Sequence, residues 1–259
     1  MKRVVIIGSG NLAEALARAV AKSGLELVQI FARNAERARI IAELTATDWA
    51  THPGMLAQDA DIYLIAVSDK AVEHVAATLP IPEGAAVAHT AGSVPLAAIP
   101  EKFARRAVFY PMQTFTKGRE VDFSVIPVFL ETPSAELHPE LEAFARQLSG
   151  TVIWATSEQR ARVHLAAVFA CNFVNHMYAV GEGIVRSAGL PFDILKPLLA
   201  ETAAKALDAA SPADVQTGPA VRNDLPTMAR HRALLAAAPR LENIYSIISN
   251  NIWEISKKI

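Results

Sequence analysis

Residues 4–13, VVIIGSGNLA, decide the fold of this chain. The β-branched run from Val4 to Ile7 is typical of a strand buried on both faces of a parallel sheet. The glycine turn that ends this strand is followed by Leu12, Leu16 and Val20, whose four-residue spacing predicts a helix. The stretch therefore predicts a strand, a tight turn and a helix, the opening of a βαβ unit.

Strand and helix patterns continue to alternate along the chain. Apolar runs predict further strands at residues 25–32, 62–67, 85–88, 107–110, 126–130 and 152–154. This alternation implies right-handed crossovers and an α/β fold with a Rossmann-type, doubly wound parallel sheet. Beyond Ser157, alanine-rich and leucine-rich patterns predict helices at 158–187, 192–209, 225–237 and 240–256. We expect a Rossmann domain over residues 1–156 and an all-α domain over residues 157–259.

Composition narrows the class of protein. The 259 residues are 52% hydrophobic and carry a formal net charge of -1, so we expect a large core and no nucleic-acid partner. The single cysteine, Cys171, excludes an internal disulfide and favours a reducing compartment, the cytoplasm. No histidine pair has metal-ligand spacing on one helix, so we expect no metal. No segment approaches the roughly 20 apolar residues of a membrane-spanning helix, so no membrane partner is expected.

The glycine turn has the pattern G-x-G-x-x-A directly after a buried strand and at the start of a helix. In this context Gly8 allows the tight turn, Gly10 lets the backbone approach a pyrophosphate, and Ala13 permits close packing of helix on strand. The helix N-terminus supplies amides to the phosphates. The pattern predicts a dinucleotide site that includes Ser9, Asn11 and Leu12.

The end of the second strand indicates which nicotinamide cofactor binds. An acidic residue there would accept hydrogen bonds from the adenosine ribose, but the sequence has Arg33 and Asn34. A guanidinium at this position can hold the 2′-phosphate of NADP, with Arg37 as reinforcement. The alternatives are a solvated surface charge for Arg33 and a helix N-cap for Asn34. We predict NADP.

Several segments together resemble one family. GSGNLA, FARNAERA, AVSD, HTAGS and YPMQTF are similar to the Rossmann half of an uncharacterised bacterial oxidoreductase family, and HLAAVFACNF and QTGPAVRND are similar to its helical C-terminal domain of unknown function. The chain more distantly resembles pyrroline-5-carboxylate reductase, deazaflavin-dependent NADP oxidoreductases and 3-hydroxyacid dehydrogenases. The resemblance implies cofactor contacts at Val67, Ser68 and Thr90 and a helical domain that forms a homodimer. It leaves the substrate open.

Loops after the predicted strands are the first places to seek catalytic groups, because ligands of such sheets bind beyond the carboxyl ends of the strands. Asp69 follows one strand, although we favour a helix N-cap for it. His89 is a candidate general acid, with a packed, hydrogen-bonded histidine as the equal alternative. Gln113 and Thr114 are candidates for orienting a substrate carbonyl or carboxylate, unless they only close a turn.

The helix after Ser157 carries a polar arc across an otherwise apolar surface. On an ideal helix, Asn175 lies about 20° from His164 and Asn172 about 80°. We predict His164 as a general acid and Asn172 as a group that polarises the acceptor; an interface network is the alternative. Cys171 is predicted to be a small core residue.

The turn around residues 217–224 supplies two further candidates. Mainly from the resemblance, Thr217 and Arg222 are placed in the substrate site, where a guanidinium can bind a carboxylate. Asp224 is predicted to be the N-cap of the helix that follows, which accounts for an aspartate at this position. Together these residues predict an NADP(H)-dependent reductase acting on a carbonyl or imine of a small, carboxylate-bearing metabolite; the alternative is an NADP(H)-binding sensor or assembly protein without turnover.

Overall fold

The computed structural model describes residues 1–257, and its centre is a single eight-stranded sheet. In chain order the strands are β1 Arg3–Ile7, β2 Glu26–Phe31, β3 Asp48–Ala50, β4 Ile62–Ile65, β5 Ala86–His89, β6 Arg106–Pro111, β7 Val128–Glu131 and β8 Val152–Trp154. Their spatial order is β3-β2-β1-β4-β5-β6-β7-β8. The predicted Rossmann-type fold class is confirmed, because the chain reverses direction across the sheet at β1 and β4, where such folds bind nucleotides.

Helices cover both faces of this sheet. The four helices of this part are α1 Asn11–Lys22, α2 Ala35–Thr45, α3 Val72–Thr78 and α4 Leu137–Arg146. Val4 and Ile6 belong to the core under α1, α2 and α4, whereas Val5 and Ile7 belong to the core under α3. The four side chains are at most 2% exposed, so β1 is buried on both faces, as its β-branched run predicts.

Two features of the sheet differ from the prediction. The edge strand β3 is only three residues long, too short for its side-chain alternation to be visible in the sequence. β7 runs antiparallel to β6, pairing Phe109 with Leu130. The other neighbouring strands are parallel. An apolar run shows that a strand is buried and carries no signal of its direction.

From Ser157 to the end of the described residues, the regular structure is helical. Its helices are α5 Ser157–Ala167, α6 Val174–Ser187, α7 Lys196–Asp208, α8 Leu225–Leu234 and α9 Pro239–Ser256. A π-helical segment, Val168–Phe173, joins α5 to α6 without a break. A capping box of Thr156 and Gln159 begins α5, and Asp224 caps α8 by accepting from the Thr227 amide, as predicted.

The chain forms two compact units, residues 1–176 and the residues from 177 onward. The predicted boundary at 156/157 marks the point where the helical region begins. The compact units divide within the continuous helix, so α5 and the π segment belong to the first unit.

The helical stretch Ser157–Ser187 contains an 18-residue window of mean hydropathy 1.3, and none of that window is buried. By length and composition it is long and apolar enough to cross a membrane, which the sequence analysis does not expect. Core helices of water-soluble proteins pass the same test. Cys171, predicted to be a core residue, is exposed on this stretch.

Candidate active site

The glycine turn between β1 and α1 has the geometry expected of a phosphate-binding turn. Gly8 has φ +138°, and a Cβ there would lie 2.1 Å from the carbonyl oxygen of Ala66, so only glycine fits. A Cβ on Gly10 would meet nothing within 4 Å, so its backbone faces open space. Ala13 is fully buried against the sheet. The turn therefore has the backbone geometry that the motif predicts, and its contacts with a pyrophosphate stay a prediction.

A cleft of about 620 Å³, the cofactor cleft, opens beside this turn. It brings together the predicted cofactor residues Gly8, Ser9, Gly10, Asn11, Leu12, Arg33, Asn34, Val67 and Ser68. Among the described residues that line it, none is an aspartate or glutamate, whose charge would repel a phosphate. The volume of this cleft and the arginine in its lining, Arg33, fit a dinucleotide that carries phosphate groups.

Of the basic residues near the end of β2, only Arg33 is available to a ligand in the cleft. Arg33 is exposed and forms no ion pair among the described residues. Arg37 instead pairs with the buried Glu14 at 2.8 Å and donates to the Ser9 carbonyl at 3.4 Å, so it braces the glycine turn. Asn34 caps α2 through the Arg37 amide, its predicted alternative role. The predicted reinforcement of a 2′-phosphate by Arg37 is therefore not supported.

Glu14 remains ionised in this brace. Burial alone would raise the pKa of its carboxyl, but hydrogen bonds from Arg37 and Arg18 hold that pKa below its ordinary value. Arg18 also contacts Glu120, and Asn11 donates to the Phe115 carbonyl at 3.0 Å, so the segment after β6 is tied to the helix that begins the cleft.

The cleft has further lining residues that the sequence analysis missed. His74 and Thr78 of α3 and Thr51 and Pro53 after β3 face the same space. They escaped notice because they lie far along the chain from the glycine motif, and α3 and β3 are short elements with weak patterns. Only the sheet topology places them beside Arg33.

His89, a predicted general acid, is fully buried at the end of β5. Its Nδ1 accepts from the Ala91 amide at 3.3 Å. Burial and the nearby Arg160 charge lower the pKa of His89 to about 4, so the imidazole is neutral near pH 7. A neutral ring without solvent contact does not suit a general acid, and the geometry favours the packed alternative.

Two loop residues beside His89 hold the strand ends together. Thr90 is buried and donates to the Ile65 carbonyl at 3.2 Å; it does not line the cofactor cleft. Ser93 donates to the Asp69 carboxylate at 2.5 Å. The predicted N-cap role of Asp69 is wrong: Ser68 stands at the N-cap of the short 3₁₀ helix Asp69–Ala71.

His164 lies against the end of β6. Its Nδ1 is 3.2 Å from the hydroxyl oxygen of Tyr110, and the two rings meet edge to face at a centroid distance of 6.1 Å. Gly92 lies between them: a Cβ there would be 2.6 Å from Tyr110 Cζ and 2.9 Å from His164 Nδ1. The fold thus assembles a Tyr110–His164 pair that requires glycine at position 92.

Tyr110 is a site residue that cannot be recognised from the sequence, because its position is that of a core residue near the end of a strand. Its ring packs with Val108 and Phe129 in a small apolar cluster. Burial, reinforced by the negative charge of Asp69, raises the pKa of the Tyr110 phenol. The phenol therefore keeps its proton at neutral pH and can act as a hydrogen-bond donor.

The π segment changes the predicted polar arc. A π segment holds one more residue in each hydrogen-bonded ring, so residues beyond it move back by about 100° relative to a regular helix. That rotation moves Asn175, which lies beyond the segment, from about 20° to about 80° away from His164. Asn172 lies within the π segment and is exposed, so its angle from His164 no longer follows ideal helix spacing. Its role in polarising the acceptor stays a prediction.

The predicted substrate residues lie in two parts of the chain: Gln113 and Thr114 follow β6, and Thr217 and Arg222 belong to the second unit. Gln113 and Thr114 are exposed, and Gln113 accepts from the Thr114 amide and hydroxyl, which closes a local turn. Thr217 lines an apolar cavity of about 320 Å³ within the second unit, and Arg222 is exposed there. Their roles in a substrate site stay predictions. Residues 1–257 contain no group of three or more potential metal ligands.

Two known families match the chain. Residues 3–90 match the family described as NADP oxidoreductase, coenzyme F420-dependent, and residues 126–252 match a domain of unknown function, DUF2520. None of the curated proteins compared matches the chain.

Solved structures agree with this assignment. A Bacteroides fragilis protein assigned as an NADP oxidoreductase is 40% identical, with 98% of each chain covered and a TM-score of 0.89. A Streptococcus pyogenes 1-pyrroline-5-carboxylate reductase covers 99% of this chain and 98% of its own at 15% identity, with a TM-score of 0.65. A Myxococcus stipitatus imine reductase in complex with NADP⁺ covers 99% of this chain and 93% of its own, also at 15% identity and a TM-score of 0.65. The last two show the shared fold, and the first shows the family. The chain therefore belongs to the NADP oxidoreductase family that carries a DUF2520 domain at its C-terminal end.

Proposed function

We propose that the protein is an NADP(H)-dependent reductase acting on a carbonyl or imine carbon of a small, carboxylate-bearing metabolite. The observation that carries the proposal is the presence, in one compact unit, of a dinucleotide-sized cleft with Arg33 and the Tyr110–His164 pair at a strand end of the same sheet. Two structural relatives were solved with a nicotinamide dinucleotide: the imine reductase with NADP⁺ and a prephenate dehydrogenase from A. aeolicus with NAD⁺.

A reduced nicotinamide supplies the hydride when bound, so the chain must hold the dinucleotide, orient the acceptor and supply a proton. The glycine turn and the N-terminus of α1 offer backbone amides to the phosphates, and Arg33 offers a guanidinium to a 2′-phosphate. This arrangement favours NADP(H) over NAD(H).

The proton comes from the Tyr110–His164 pair. The phenol of Tyr110 is protonated at neutral pH, and His164 Nδ1 lies within hydrogen-bond reach of its oxygen. The hydroxyl donates its proton to the developing alkoxide of a carbonyl acceptor or to the nitrogen of an imine acceptor, and His164 Nδ1 returns a proton from solvent to the phenolate. Asn172, exposed on the π segment that follows α5, polarises the acceptor.

Recognition of the carboxylate rests on Arg222, with Thr217, Gln113 and Thr114 as orienting groups. We further propose a homodimer through the helical region, because large exposed apolar side chains such as Leu165 and Phe169 recur along α5 and the π segment. The lone cysteine favours a reducing compartment, the cytoplasm.

A library of small ketones, imines and oxo acids, screened by loss of NADPH absorbance, tests the proposal. We expect at least one compound to give saturable NADPH oxidation, with NADH much less effective. Tight NADPH binding together with no oxidation by any compound contradicts a reductase and favours the sensor alternative.

A further inference from the structure

Arg160 is a fully buried arginine in the first unit. It is the only buried residue of α5, and its side chain is fully enclosed although it is among the most polar of all residue types. Enclosing a guanidinium is costly unless its charge and its donors are matched. The groups to which Arg160 is hydrogen-bonded therefore show which part of the structure this unfavourable burial holds in place.

Arg160 binds the backbone that follows β5. Its Nη1 donates to the carbonyl oxygens of Ala91, Gly92 and Val94 at 3.2, 3.2 and 3.1 Å. Three carbonyls that converge on one nitrogen fix the path of this segment, the Ala91–Val94 loop. Nε makes no hydrogen bond within the described chain, so the side chain is held mainly by its two terminal nitrogens.

The other terminal nitrogen anchors Arg160 to the sheet. Nη2 donates to Glu131 Oε2 at 2.6 Å and to Ser157 Oγ at 3.0 Å. Ser157 also donates to Glu131 and accepts from the Leu96 amide at 3.1 Å. The guanidinium thus joins the end of β7, the start of α5 and the loop after β5, with its charge matched by one carboxylate.

This loop is in direct contact with the proposed proton source. Gly92, held by Arg160, packs so closely on Tyr110 and His164 that a Cβ would overlap both. His164 follows Arg160 by four residues, one turn along the same face of α5. A shift of the Ala91–Val94 loop by a few tenths of an ångström would therefore change the 3.2 Å contact between Tyr110 and His164.

We propose that Arg160 is a positioning residue: it fixes the Ala91–Val94 loop so that Tyr110 and His164 meet at hydrogen-bond distance. The inference rests on the proposed function, in which that pair supplies the proton. It also explains why an ion pair with Glu131 is present where apolar side chains could fill the space, since such pairs are often replaceable without loss of stability.

The test uses the imidazole of His164 as a spectroscopic probe. The full-length protein is labelled with ¹⁵N-histidine, and the His164 signals are assigned with the His164→Gln variant. Wild type, Arg160→Met, Arg160→Lys and the double variant Arg160→Met/Glu131→Leu are then compared for the Nδ1 shift, the tautomer and the pH titration of His164. Arg162→Met is the matched control, because Arg162 lies on the same helix, is exposed and, among residues 1–257, pairs only with Glu158.

We expect Arg160→Met to change the His164 Nδ1 signal and titration, Arg160→Lys to restore them in part, and Arg162→Met to leave them unchanged. The double variant should regain the thermal stability lost in Arg160→Met without regaining the His164 signature. NADPH affinity should stay within about twofold of wild type in each variant, because the cofactor cleft does not include Arg160.

A wild-type His164 signature in Arg160→Met, or its recovery together with stability in the double variant, would show that Arg160 serves stability alone. If Arg160→Met does not fold, the double variant and Arg160→Lys decide the question by the same signature. A separate measurement tests the proposed function. If His164→Gln retains full turnover, the proposed function fails, whatever the signals of the Arg160 variants show.

Discussion

At the residue scale, Arg33 shows how much a single position contributes to cofactor choice. Its position after β2 can be inferred from the sequence. The ion pair between Arg37 and Glu14, which makes Arg37 unavailable to a ligand, cannot be inferred, because it joins residues on two helices. We expect Arg33→Ala to weaken NADPH binding by at least ~10-fold and NADH binding hardly at all. Fluorescence titration with both cofactors measures this, and Arg39→Ala, an exposed arginine paired with Glu43, is the control. Equal losses for both cofactors would contradict the assignment.

The lowered pKa of His89 predicts how the stability of the folded protein depends on pH. Its folded-state pKa of about 4 lies below its ordinary value of 6.5, so the unfolded chain takes up a proton first as the pH falls. Stability from this group is complete above about pH 6.5 and decreases toward pH 4, with about 2 kcal/mol lost by pH 5.

Urea unfolding at pH 7.5 and pH 5 measures this loss. The difference between the two pH values should be about 2 kcal/mol smaller in His89→Asn than in wild type, since the variant has no imidazole to titrate. An unchanged difference would mean that His89 is solvated in the folded protein.

At the element scale, the two glycines of the turn between β1 and α1 have different expected roles: Gly8 in stability and Gly10 in cofactor binding. Gly8→Ala should destabilise the protein by about 2–4 kcal/mol, because the new Cβ would overlap the Ala66 carbonyl at positive φ. Gly10→Ala should leave stability unchanged and weaken NADPH binding by ~10-fold or more, because its Cβ occupies the approach of the phosphates. Thermal unfolding and NADPH titration of both variants check this, and a stable Gly8→Ala protein would refute the steric argument.

The elements also show where sequence reasoning ends. Strongly patterned units such as β1 and α1 are predictable, because local periodicity decides them. The direction of β7 and the pairing of the short strand β3 depend on strands that are distant in the sequence. The π segment lies inside a continuous helical pattern that gives no signal of it. For the same reason His164 is recognisable as a candidate, whereas Tyr110 and Arg160 gain their roles only when α5 packs against the ends of β6 and β7.

At the scale of the whole molecule, exposed apolar side chains dominate the helical region. Phe169 and Phe173 contact each other edge to face and are 62% and 48% exposed. We expect a homodimer in light-scattering measurements, and a monomer for Phe169→Glu/Phe173→Glu, since burying a charge at an apolar interface is costly. Val125→Glu, at an exposed apolar site outside this region, should remain dimeric. A monomeric wild type would contradict the proposal.

The central claim is that the Tyr110–His164 pair supplies the proton for a reduction by NADPH. The measurement that tests it most directly is single-turnover NADPH oxidation, with an acceptor found by the screen, in Tyr110→Phe, His164→Gln and the double variant. The account predicts a fall of about 10²-fold or more in each single variant, little further loss in the double variant, and nearly unchanged NADPH affinity. Wild-type rates in both single variants would contradict it.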